Sequence, residues 1–158
     1  MKALHSRGAA VERVVAGDHC VATLTSADEL MAIAAGNVLC DPLRPVALSR
    51  TLEVQLRTLA PRAPLTPGQP FELYVHSASC SATLKRIVAG VDRRTGARAD
   101  GRPPRCLPAQ SAAVVILELE HEIPVETHAD CRALGRIVLR AGGESVAVGV
   151  ITQLLSER

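Results

Sequence analysis

Apolar and polar positions alternate along most of this chain, and that period of two predicts strands. In Leu48–Leu59, Leu52, Val54, Leu56 and Thr58 share one parity against Glu53, Gln55 and Arg57, as a half-buried strand requires. Val115, Leu117 and Leu119 oppose Ile116, Glu118 and Glu120 in the same way within a run over Ala112–Glu120. Further strand-like runs are Cys20–Thr25, Val38–Cys40, Phe71–Ser77, Ala82–Asp92, Gly135–Arg140 and Ser145–Leu154. In the last of these, Val146, Val148 and Val150 face one side, while Ser145, Ala147, Gly149 and Ile151 leave the other open to close packing. The final two runs fold back on each other around Gly142-Gly143 and read as the closing hairpin of a small β-barrel. Only Ser26–Ala35 looks helical, with Ser26 as a cap and Glu29 three residues on, as in a capping box.

Prolines punctuate these runs at Asp41–Pro45, a linker-like segment, and at Ala60–Pro70, where Pro67-Gly68 signals a turn. A third loop, Arg93–Arg105, carries five arginines around Gly96, Gly101 and Pro103-Pro104. Many short strands at this spacing predict an all-β fold with a closed antiparallel barrel rather than a parallel sheet. Residues 1–40 hold too few strands to close a barrel of their own and read as an incomplete module.

Composition narrows the chemistry. The 158 residues are 47% hydrophobic, yet Phe71 and Tyr74 are the only aromatic residues, so the core must be aliphatic and base stacking has little to work with. A net charge of +2 is no nucleic-acid signature by itself. Lys2 and Lys85 are the only lysines among 18 basic residues, so nearly every cation is an arginine. Five dispersed cysteines with no CxxC pair point to reduced thiols in a cytosolic protein rather than to disulfides or a zinc site. No signal-peptide core and no run near the ~20 apolar residues of a membrane span is present, which makes the expected location cytoplasmic, with no membrane partner. GxSxG, HExxH and GxxxxGK[ST] motifs are all lacking, and the five histidines show no metal-ligand spacing, so neither an enzyme nor a metal site is expected. Asp130-Cys131 with His121 and His128 supplies a thiol and bases in principle, but a plain thiol near loop histidines is far commoner. Arg136 and Arg140 lie four apart on one strand and therefore on one face.

The order of several short elements resembles the C-terminal portion of translational GTPases of the elongation factor 1-alpha superfamily. Ala16–His19 and Gly36–Pro42 are similar to elements of the family's second domain. Leu65–Gly68, His76, Ala82–Leu84, Asp92–Gly96 and Pro104–Leu107 follow its third domain, which Leu134–Val150 closes. Ser81–Ile87 with Arg140–Gly143 looks most like Hbs-one, the Pelota-partner GTPase of ribosome rescue, with the eukaryotic release-factor GTPase next. Ile137 stands where the family usually has Phe, and Ser111 stands near a usual acidic or amide residue.

This resemblance implies a Greek-key barrel of the third-domain type over 46–158, preceded over 1–45 by the C-terminal part of a second barrel. It implies a partner-binding, ribosome-facing barrel in ribosome rescue, mRNA surveillance or termination, holding a Pelota-type or class I release-factor protein. GTP and Mg would bind a domain absent from this chain, which needs no cofactor itself. The implied partner surface is Arg136, Arg140, Gly142 and Gly143, with His76 and Arg86 as neighbours. The alternative is an aminoacyl-tRNA-binding barrel of the elongation factor 1-alpha kind.

Overall fold

A computed structural model describes residues 3–24, 33–92, 94–99 and 101–155. The described residues form two compact units, Met1–Ala35 and Gly36–Arg158. Most of the helix-like stretch Ser26–Ala35, including Ser26 and Glu29, lies outside the described residues, and so does Arg93.

The first unit holds strands β1 (Ala3–Ser6), β2 (Ala9–Val11) and β3 (Val21–Thr23) in one antiparallel sheet of order β2-β1-β3. Its first two strands are too short to show a period, and no strand was expected there. Conversely, Val38–Cys40 forms no strand; Asp41 and Arg44 instead close a turn, the Arg44 N–H donating to the Asp41 carbonyl at 2.8 Å. Three apolar residues beside a proline-marked turn have no neighbouring strand to pair with.

The second unit is a closed six-stranded antiparallel barrel: β4 (Leu48–Thr58), β5 (Pro70–Val75), β6 (Ala78–Gly90), β7 (Ala112–Pro124), β8 (Arg136–Ala141) and β9 (Glu144–Leu155). Neighbours run β4-β7-β6-β5-β8-β9 and back to β4. Three hairpin-linked strands, β5 to β7, are thus flanked by strands that arrive over the barrel ends. Closure leaves no free sheet edge in this unit.

Parity decides the interior. Leu52, Val54 and Leu56 of β4, Val115, Leu117 and Leu119 of β7, and Ile137 and Leu139 of β8 all point inward and are at most 2% exposed. Ile137 fills core space with an aliphatic side chain, and Phe71 is the only aromatic residue in the core cluster. Val114 and Ile116 point outward by parity yet are also buried, at 2% and 3% exposure. An ion pair crosses this face: Arg98, beyond the end of β6, reaches Glu53, the register partner of Ile116, at 2.6 Å.

Two irregularities shape the outer surface. Lys85 and Arg86 are both exposed where the β6–β7 register shifts between Leu84 and Arg86. A second shift, between Leu139 and Arg140, buries both Val146 and Ala147 and leaves Val148 and Val150 facing outward. Gly149 lies between those two valines. A Cβ there would stand 2.7 Å from Leu56 Cδ2 and 2.8 Å from the Gln55 carbonyl oxygen, so only glycine lets β9 lie this close to β4.

Candidate functional site

The outward residues of β4, β9 and β8 make two rows. Gln55, Val150 and Arg136 are register partners in one, and Arg57, Val148 and Val138 in the other. Together they floor an open groove of about 850 Å³ on the outside of the barrel. One wall is the short hairpin after β6, which contributes Val91, Asp92, Arg94 and Gly96. Val148, 36% exposed, leaves an apolar centre open to contact.

Three cations rim this centre. Arg57, Arg94 and Arg136 are exposed and form no ion pair among the described residues. The one acid in the groove is turned to its own loop: Asp92 Oδ1 accepts the N–H groups of Thr95 at 2.9 Å and Arg94 at 2.7 Å. Those backbone donors, Thr95 first, hold its carboxyl below the usual aspartate range and keep it ionised. Three guanidinium groups against this one carboxylate leave the rim net positive over a valine floor.

The six residues singled out from the sequence do not form one site: Arg140, Gly142 and Gly143 share the β8–β9 turn, Arg136 stands at the other end of β8, and Arg86 lies two strands over. Gly142 (φ +57°) and Gly143 (φ +80°) make the two-residue β8–β9 turn, as a left-handed hairpin turn requires. Arg140 belongs to that turn: its Nη2 donates to the Gly143 carbonyl at 2.6 Å, and its guanidinium lies 5.5 Å from the Tyr74 ring centroid. Arg136 starts the same strand on the same face but at its other end, in the groove. His76 sits in the two-residue β5–β6 turn with φ +42°, its Nε2 3.3 Å from the Pro124 carbonyl oxygen. Arg86 stands at the β6 bulge, with β5 between its strand and β8. Arg57, Val138 and Val148 were missed because their pairing partners, unlike their parity, are not written locally, whereas Arg94 belongs to the arginine-bearing loop Arg93–Arg105.

The thiols and histidines make no reactive set. Cys131 forms no hydrogen bond to His121 or His128, and the His128 Nε2 is buried without a partner. Burial, aided by the charge of Glu120, raises the pKa of Cys80 and keeps its thiol protonated. Among the described residues, no three His, Cys, Asp or Glu side chains stand together as metal ligands do. No helix of the described residues is long and apolar enough to cross a membrane.

The closed barrel with this outer groove defines a domain of the translation-factor type. Residues 51–152 match the family described as GTP-eEF1A C-terminal domain-like, and the chain belongs to that family. Protein HBS1 of Drosophila melanogaster is 30% identical over 141 residues, which cover 89% of this chain and 21% of that protein. The eukaryotic peptide chain release factor GTP-binding subunit of Debaryomyces hansenii is 29% identical over 123 residues, 78% of this chain and 17% of that protein. Elongation factor 1-alpha of Cenarchaeum symbiosum is 25% identical over 77% of this chain and 28% of that protein. The chain thus spans about a fifth of the length of the first two relatives. A crystal structure of sup35 complexed with GDP shares the fold, with a TM-score of 0.89 at 22% identity over 98% of this chain and 37% of that one.

Proposed function

We propose that this chain is the partner-binding C-terminal barrel of a cytoplasmic translational GTPase acting in ribosome rescue or termination. The groove across β8, β9 and β4 receives a Pelota-type or class I release-factor protein. GTP hydrolysis, in this reading, belongs to a separate domain, and the barrel contributes affinity and orientation. The observation that carries it is the valine floor ringed by Arg57, Arg94 and Arg136 within the segment that matches the family. An apolar centre with a charged rim is the anatomy of a protein-binding patch, and arginine is among the residues enriched at such sites. Covering Val148 and Val150, both already partly buried, contributes less than the ~1.5 kcal/mol of burying a fully exposed valine, and each rim arginine can hold a carboxylate by two parallel hydrogen bonds.

Titration calorimetry of the full chain against the Pelota-type protein and the class I release factor of the same genome tests the proposal. One of the two binds. Arg136→Glu and Val148→Asp each weaken that binding at least about tenfold while the melting temperature stays put, because both side chains face outward. Binding of neither partner overturns the reading, and so does binding that ignores both substitutions.

A further inference from the structure

We infer that Arg98 and Glu53 are positioning residues for the groove. Their ion pair pins the hairpin that carries Arg94 across the outside of β7, and so fixes one rim cation before a partner arrives. The inference deepens the reading of the groove as a protein-binding site and rests on it.

Arg57 and Arg136 belong to strands of the closed barrel, whereas Arg94 is carried outside the six strands. After Gly90 the chain turns back on itself. Val91 and Arg98 face each other in a single antiparallel bridge. Asp92 N–H donates to the Ala97 carbonyl at 2.9 Å, and Ala99 N–H to the Gly90 carbonyl at 2.8 Å. Val91 N–H ties this hairpin to β7 through the Ala112 carbonyl at 2.8 Å. A two-stranded hairpin is marginal by itself in water, so its outer arm needs a second attachment. Asp92 does not provide one, because its carboxylate is turned to the Arg94 and Thr95 amides within the same hairpin.

Arg98 provides it. Its Nη2 donates to Glu53 Oε1 at 2.6 Å, across β7, which lies between β4 and β6 in the barrel. The acceptor is set by two strands, since Thr152 Oγ1 of β9 lies 2.9 Å from the same Glu53 oxygen and 3.1 Å from the Glu53 carbonyl. The Glu53 side chain is 12% exposed and that of Arg98 55%. A shielded carboxylate in the barrel wall thus receives a cation delivered by the hairpin. Pairs with an exposed member add little to global stability, so the consequence is local. Arg98 does not line the groove and acts there through Arg94. A rim cation ordered in advance leaves less freedom to be lost on binding.

Two measurements on the full chain test this. In hydrogen exchange, with each rate taken relative to its intrinsic rate, Arg98→Ala should lower protection at the Asp92 and Ala99 amides about tenfold. Glu53→Gln, a near-isosteric change that keeps an acceptor for Thr152, should do the same, while Arg98→Lys keeps most of the protection. The Thr58 amide, which donates to the Ser111 carbonyl at 2.9 Å, should hold in all three. In titration calorimetry with the protein partner, Arg94→Ala should weaken binding about fivefold and Arg98→Ala about threefold. The two together should be no weaker than Arg94→Ala alone. Full protection at Asp92 and Ala99 in both Arg98→Ala and Glu53→Gln overturns the inference, and so does an equal loss at Thr58. Additive losses in calorimetry overturn it too, since Arg98 would then touch the partner directly. Binding of neither protein sinks the proposed function alone: the exchange measurement needs no partner and still decides whether this pair holds the hairpin of Arg94.

Discussion

Arg136 and Arg140 sit on one strand, four residues apart and on the same face, yet the fold gives them opposite employment. Arg136 opens into the groove with no carboxylate partner, beside Val138 and Val150. Arg140 is folded back onto Gly143 and over Tyr74. Parity determines which side of a sheet a side chain takes, but neighbouring strands determine whether it is free. A cation that already has an acceptor and an aromatic face contributes to its own turn first. A cation without either is available to a second molecule.

The largest effect that bears on this contrast concerns the strand that carries both arginines. A Cβ on Gly135 would collide with the backbone of His128, and Ile151 N–H donates to the Gly135 carbonyl at 2.8 Å. Gly135→Ala is expected to destabilise the barrel by about 3 kcal/mol, the upper range of overpacking, read by urea denaturation. A variant as stable as the parent would show that β8 tolerates a shift and that the positions of both arginines are soft.

Arg136→Ala comes next. It is expected to weaken the protein partner roughly tenfold with the unfolding midpoint unchanged, since exposed substitutions away from special features stay within about 0.5 kcal/mol. Arg140→Ala should do the reverse, costing about 1 kcal/mol of stability through the lost hydrogen bond and ring contact, with little change in affinity. If calorimetry and denaturation show the two substitutions to be interchangeable, the division of labour is wrong. A double-mutant cycle of Arg140→Ala with Tyr74→Leu sharpens it, with an expected coupling of about 0.5 kcal/mol.

The smallest effect is a pH dependence across the groove from Arg136. The carboxyl of Asp92 titrates below its ordinary value in the folded chain, so the hairpin gains from it above the unfolded pKa of about 3.9. That gain is lost as pH falls through the lowered folded value. Protection of the Arg94 and Thr95 amides, each exchange rate taken relative to the intrinsic rate at the same pH, should therefore fall below that range and hold above it, whereas Asp92→Ala is unprotected at every pH. Protection in Asp92→Ala equal to that of the parent chain would remove the carboxylate from the account of Arg94.

Much of the barrel was legible because its strands are long and half-buried. The inward parity of Leu52, Val54 and Leu56 and the Gly142-Gly143 turn are each written within a dozen residues. The floor of the groove was not, because it depends on β4 meeting β9 across nearly a hundred residues and on a register shift at Arg140. The burial of Ile116 was hidden for a related reason, since its register partner Glu53 pairs with Arg98, 45 residues away. Arg86 looked like a neighbour of Arg136 in motif order, but β5 runs between their strands.

Gly149 has a consequence for how such barrels diversify. The floor of the groove is level because β9 is paired closely with β4 at Gly149, where a Cβ would meet the Gln55 carbonyl oxygen at 2.8 Å. Trimming Leu56 relieves one contact and leaves Val54 Cγ1 at 2.9 Å. The backbone contact stays too, so the level of the floor is not freely heritable by substitution at this site. Descendants of this barrel can change partners by recolouring the rim at Arg57, Arg94 and Arg136 more easily than by recarving the floor.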